Sequence, residues 1–248
     1  MSFSRTCVRM VNSFVSLAVI LVLILFGTYS AYALWDNKQI YSAAQNVMIQ
    51  MQELKPDVEA EGGPSFEELL AINPDVKGWV SMDGTKIDYP ILQGETNLTY
   101  INTDVYGHFA LAGSIFLDCR NNEDFSDCYN LVYGHHMANS NMFGDLDLYK
   151  DAKFFQENTT GILMTTDAVY DLNVLALLLV SASYDSIFDV TQNREPDVVI
   201  RYILENAVYI SEDMPELGDP VQFFTLSTCS SEFTDARTIV ITAMNRHT

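Results

Sequence analysis

Between Arg9 and Asp36 the chain carries no charged side chain. The stretch from residue 11 to residue 34 is long enough to cross a bilayer, which takes about 20 mostly apolar residues as a helix. In hydrocarbon such a segment satisfies its backbone polar groups only by forming that helix. Arg5 and Arg9 precede it and acidic sequence follows. The expectation is therefore a cytoplasmic N-terminus over residues 1–10, a transmembrane signal-anchor over 11–34, and the bulk of the chain outside the membrane. Tyr29, Tyr32 and Trp35 suit the outer interface. Ala31-Tyr32-Ala33 also fits the small-residue pattern of a signal-peptidase site, so cleavage after Ala33 stands as a second reading. The uncharged stretch exceeds a usual signal core, which favours the uncleaved anchor. Both readings put the remaining domain in an extracytoplasmic setting.

The 248 residues, 48% of them hydrophobic, supply one good core beyond this segment. A formal net charge of −20 argues against nucleic acid or an anionic membrane surface as partner. Residues 35–63 read as a juxtamembrane helix and linker. Ile40, Ala43, Ala44, Val47 and Met51 form a helical stripe, and an acidic, glycine-ended segment follows. Residues 64–248 read as the folded domain. It opens on a short helix to Ile72, stopped by Asn73-Pro74, and then becomes mainly β. Asp83-Gly84 predicts a tight hairpin turn. Strands are expected over 114–118, 129–133, 162–165 and 168–183. The apolar segment 172–180 is too short for a second membrane span and reads as a central strand. Peripheral helices are expected over 151–158 and 196–206, the latter with Pro196 near its start. Many short strands with few long helices point to a closed or nearly closed β-barrel.

Near the C-terminus, residues 221–231 form an apolar, β-branched and aromatic run ending in Thr228, Cys229 and Ser230. A second β-type run begins at Arg237. A hairpin through the polar loop 230–236 sets Cys229 and Arg237 at the same end of neighbouring strands. A fixed cation beside a thiol favours the nucleophilic thiolate, and it can stabilise an oxyanion. Four histidines are candidate bases: His108, His135, His136 and His247. His247 sits one residue from the end, where fraying is expected. His108 lies in a glycine-flanked loop and reads as solvated. His135 and His136 end a strand-like run after Gly134, and adjacent strand residues face opposite ways, so at most one enters a site. A zinc site has no matching ligand pattern. Cys7 precedes the membrane run. Cys119 and Cys128 flank residues 120–127, and their spacing leaves free thiols and a disulfide both open.

Thr225-Leu226-Ser227-Thr228-Cys229, the downstream Arg237 and the upstream Tyr133-Gly134-His135 resemble the catalytic signature of sortases, particularly class B. The resemblance extends in order through Trp35-Asp36-Asn37-Lys38-Gln39, residues 73–79, Asp88-Tyr89-Pro90-Ile91 and residues 112–118. It implies a sortase-like closed barrel with N-terminal helices and a helix before the last two strands. It implies a membrane-anchored cysteine transpeptidase of a Gram-positive surface. Cys229 would attack a sorting-signal peptide of a surface protein and form a thioester. His135, as imidazolium, would protonate the leaving amine, and Arg237 would steady the tetrahedral intermediate. The glycine before it favours His135 over His136. The acceptor would be an amine of the cell-wall precursor or a pilin lysine. No metal or organic cofactor is needed. Ser227 and Thr228 would shape the peptide groove, or serve as ordinary strand hydroxyls. A surface cysteine peptidase, with water resolving the acyl-enzyme, and a degenerate scaffold are the competing readings.

Overall fold

The computed structural model describes residues 2–57, 65–137, 141–181, 186–229 and 236–247, and it divides into two compact units, Met1–Ser42 and Ala43–Thr248. The helix α1 (Ser2–Gln52) makes up the described part of the first unit and supplies the first residues of the second. Its segment Val8–Gln52 is long and apolar enough to cross a membrane, and its most apolar window has mean hydropathy 2.5 with none of it buried in the protein.

In the second unit the last turns of α1 turn a stripe inward. Ala44 and Met48 pack on the barrel core, while Val47 and Met51 join a second cluster around Trp79, Phe116 and Met164. Ala43 was expected on this stripe but is exposed. The short α2 (Glu67–Ile72) adds Leu69 to the same cluster.

The strands are β1 (Val76–Met82), β2 (Asp88–Leu92), β3 (Ile115–Leu117) and β4 (Tyr129–His135). After α3 (Ala152–Glu157) come β5 (Thr160–Thr165) and β6 (Val169–Ser181). Then follow α4 (Pro196–Asn206), β7 (Ala207–Ile210), β8 (Phe223–Cys229) and β9 (Ala236–Arg246). Pairing runs β5-β1-β2-β3-β4-β8-β9-β6, and a β5–β6 pairing closes the circuit into an eight-stranded barrel. β7 is a ninth strand added to the far half of β6. The β2–β3 and β4–β8 pairings are parallel and the others antiparallel.

The two faces of β8 explain why its sequence is apolar without alternation. Phe224 and Leu226 face the barrel interior beside Val132 and Val240. Phe223 belongs to an outer layer with Leu131, Ile239 and Ile241, which α4 covers with Val199, Ile200 and Ile203. A strand buried on both faces has no polar side to show.

Three expectations change. The Asp83-Gly84 turn is not a tight two-residue one: only Gly84 takes a positive φ (+73°), and the loop extends to Ile87. Thr85 staples this longer loop, donating its hydroxyl to the Met82 carbonyl (2.7 Å) and accepting from the Ile87 N–H (3.0 Å). The short strand β7 intervenes between α4 and the last two strands. The C-terminus does not fray at His247, because its N–H donates to the Val169 carbonyl (2.9 Å) and its Nδ1 meets Asp171 at 2.9 Å.

Candidate active site

The parallel pairing of β4 with β8 runs from Tyr129↔Phe223 to His135↔Cys229, so His135 and Cys229 stand opposite one another at the ends of adjacent strands. The β8–β9 register is antiparallel, with Ser227 opposite Ile239. Continued by two residues, it sets Arg237 opposite Cys229. Residues so opposed share one face of a sheet. His135, Cys229 and Arg237 therefore form a row across three neighbouring strands. The connecting residues 230–235 lie outside the described residues.

Ile101 and Phe143 both hold His135. Its Nε2 lies 2.6 Å from the Ile101 carbonyl oxygen; a carbonyl only accepts, so Nε2 carries the proton. The Ile101 carbonyl is fixed through its neighbour Tyr100, which is buried. The Tyr100 hydroxyl donates to Asp75 (2.6 Å) and accepts from Asn73 Nδ2 (3.1 Å). The Tyr100 carbonyl accepts from the Ser114 N–H (3.0 Å). Burial first, and then Asp75, push the Tyr100 hydroxyl up to about 12. The His135 carbonyl accepts from the Phe143 N–H at 3.0 Å, which returns the following loop onto the strand end.

Gly134 makes that return possible. A Cβ there would sit 2.4 Å from Ile115 Cδ1 and 2.8 Å from the Phe143 ring. We expect Gly134→Ala to push Phe143 off the His135 main chain and to destabilise the fold by about 1–3 kcal/mol. Urea unfolding measures this, and an unchanged midpoint would mean the loop yields freely.

Arg237 is half-buried, and its Nη1 donates to the Thr228 carbonyl at 2.8 Å. Ser227 and Thr228 are buried, at 0% and 3% exposure. The Thr228 hydroxyl accepts from the Thr238 N–H (3.1 Å), and Ser227 Oγ lies 3.4 Å from the Thr228 carbonyl. Of the two readings left open for these hydroxyls, this bonding within the sheet fits ordinary strand hydroxyls.

His136 points away from the row. It bridges to Met142, and its Nε2 meets Asp147 at 3.0 Å. His108 is 80% exposed, 3.9 Å from Asp104. Cys119 and Cys128 are free thiols. Burial, reinforced by Glu195 and Asp127, pushes the Cys128 thiol up to about 11, which disfavours its thiolate.

Beneath the row lies a charge cluster that the sequence did not reveal. Asp118 is fully buried and accepts from Arg120 Nε (2.8 Å), Arg120 Nη2 (2.7 Å), the Arg120 main-chain N–H (3.0 Å), Asn97 Nδ2 (2.9 Å) and the Tyr133 hydroxyl (3.1 Å). Burial alone would raise this carboxyl, but the Arg120 and Asn97 hydrogen bonds outweigh it and hold it below the usual carboxylate value. Tyr133 stands two residues before His135 on the same face. Arg120 Nη2 also donates to the Phe188 carbonyl (2.7 Å), tying in the connection between β6 and α4.

No family model matches the chain. Over 144 residues, 58% of the chain, it is 31% identical to Sortase B of Staphylococcus aureus, and that stretch spans 59% of the Staphylococcus protein. Over 177 residues it is 29% identical to Sortase B of Listeria monocytogenes, covering 71% of each. A solved Streptococcus pyogenes class B sortase, described as involved in pilus biogenesis, superposes with a TM-score of 0.66 at 37% identity, over 73% of this chain and 98% of that one. The chain belongs to the class B sortases.

Proposed function

We propose that this protein is a membrane-anchored cysteine transpeptidase that joins the sorting-signal end of a surface protein to an amine. The observation that carries the reading is the row of His135, Cys229 and Arg237 across β4, β8 and β9. The Cys229 thiolate adds to the carbonyl carbon of the scissile peptide bond. Arg237, whose guanidinium has five N–H donors and engages one with the Thr228 carbonyl, stabilises the oxyanion. His135 gives a proton to the departing amine, and the C–N bond breaks to leave a thioester on Cys229. An incoming amine then attacks the thioester, loses its proton to His135 and displaces the Cys229 thiolate, forming a new amide. With Nε2–H held by the Ile101 carbonyl, Nδ1 is the ring nitrogen that exchanges these protons. In this reading the first unit anchors the enzyme as a single span, with Arg5 and Arg9 inside and the barrel outside.

The amine has two candidate sources, the cell-wall precursor and a pilin lysine. The second is favoured by the 37% identity to a sortase described as involved in pilus biogenesis. The test incubates the full chain in detergent with a library of sorting-signal peptides, with and without glycine oligomers or lysine amides, and reads products by mass spectrometry. A peptide fragment joined to the amine is the expected result, and the preferred amine separates cell-wall anchoring from pilus assembly. Cleavage to the free acid whatever amine is present would replace this reading with a peptidase. Absence of any product would leave a scaffold.

A further inference from the structure

Three residues next to the proposed catalytic row lie on the opposite face of the sheet, although Thr228 pairs with Gly134 and His136 stands one position past the last β4–β8 pair. His136 follows His135, Thr228 precedes Cys229 and Thr238 follows Arg237. A 3-10 helix, Gly144–Lys150, lies over the ends of these strands and presents Asp147. One Asp147 oxygen meets His136 Nε2 at 3.0 Å. The other accepts from the Thr238 hydroxyl at 3.0 Å and from Lys150 Nζ at 2.6 Å. The Thr238 N–H in turn donates to the Thr228 hydroxyl at 3.1 Å. One carboxylate thus ties β4 to β9, with β8 gripped between them.

We propose that Asp147 is a positioning residue that sets the spacing of His135, Cys229 and Arg237 by clamping the three strand ends from behind. The proposal rests on the transpeptidase reading for what the row does. Its physical need is specific. Cys229 and Arg237 are held at strand ends beside the long connection 230–235, and the β8–β9 pairs closest to this end include Ser227↔Ile239. Pairing holds β4 to β8 as far as His135↔Cys229 and β9 to β6 as far as Ala236, so the spacing left to a cross-tie is that of the β4–β8 pair against β9. The loss of even about 1 Å of alignment costs on the order of 100-fold in rate. Asp147 does this work as an anion. Burial would raise its carboxyl, but the Lys150, Thr238 and His136 hydrogen bonds together hold it below the usual value. Among the described residues, Lys150 and His136 are the charged or titratable groups in contact with it. Neither Asp147 nor Lys150 lies on the three strands, so the tie is supplied by the segment between β4 and β5.

The test compares the full-length protein with Asp147→Asn and Thr238→Val, each checked for folding by thermal melting. Two quantities are read: kcat and KM for a peptide the wild type joins to an amine, and the pH profile of Cys229 alkylation by iodoacetamide, which reports thiolate availability apart from turnover. Asp147→Asn is expected to lower kcat by about 10- to 100-fold with KM changed by less than about 2-fold, and to shift the alkylation profile. Thr238→Val, which removes one bond and keeps the side-chain shape, is expected to give a smaller change in the same direction. If Asp147→Asn fails to fold, Thr238→Val decides alone. Wild-type kcat and an unshifted alkylation profile in the variants that fold would overturn the proposal. Should the wild type join no peptide, the transpeptidase reading fails, and the alkylation profile still tests the clamp.

Discussion

A Cys229→Ala chain is expected to lose amine-dependent joining by at least about 1000-fold while its melting temperature stays within about 2 °C of the parent. The two halves of the expectation have separate causes. In the proposed mechanism, loss of the thiol removes the atom on which the acyl group rests, and the remaining row can only orient and polarise a peptide that has nothing to attack it. The fold is spared because β8 meets β4 through its main chain, in a register that begins at Tyr129↔Phe223 and does not depend on the last side chain. Intact-mass measurement adds an independent check. The parent incubated with peptide alone should carry an acyl adduct that hydroxylamine removes, and Cys229→Ala should carry none. Joining that persists in Cys229→Ala would sink the mechanism outright.

The second large effect is on stability. Arg120→Ala strands the Asp118 carboxylate, wholly buried, without its guanidinium. Arg120 is itself 40% exposed, and Asn97 and Tyr133 still reach the carboxylate, so the loss is about 1–3 kcal/mol, which for a chain of this size lowers the melting temperature by on the order of 5 °C. The linkage has a definite sign. The folded-state value of Asp118 is depressed, so its contribution is present above the ordinary carboxylate value of about 4 and is lost as pH falls through the folded value. The parent should therefore lose stability on acidification through this window more steeply than Asp118→Asn, which has no proton to take up. Equal slopes for the two in urea melts would mean that the carboxylate is not held as the geometry implies. Because Tyr133 and Phe188 share this cluster, Arg120→Ala should also loosen the floor beside His135.

Local pattern made the strands, the closed barrel and α4 legible, because apolar periodicity and turn residues are written residue by residue. The strand-end positions of His135 and Cys229 were legible too, through the Tyr133-Gly134-His135 and Thr228-Cys229 neighbourhoods. What escaped is what depends on distant pairing. The Ile101 carbonyl on His135 has no side-chain identity to announce it. Asp147 sits between two leucines in a stretch with no motif, and only a 3-10 turn brings it against Thr238. Ser227 and Thr228 looked like groove residues because small hydroxyls at a strand end usually meet solvent; here the pairing on both sides of β8 buries them. The Asp83-Gly84 turn misled for a local reason: Thr85 supplies hydrogen bonds that make a longer loop the better one.

The parallel pairing of β4 with β8 also bears on when the enzyme can act. Parallel neighbours need a crossover, and here it comprises everything from the loop after His135 through β5, β6, α4 and β7. Closing so long a connection is entropically slow, and contacts of that sequence separation form late in folding. His135 and Cys229 therefore first meet only once the barrel has shut. On the proposed mechanism a chain emerging unfolded carries its thiol far from its proposed base and has no competence for acyl transfer, so the order of folding itself delays reactivity until the protein is assembled.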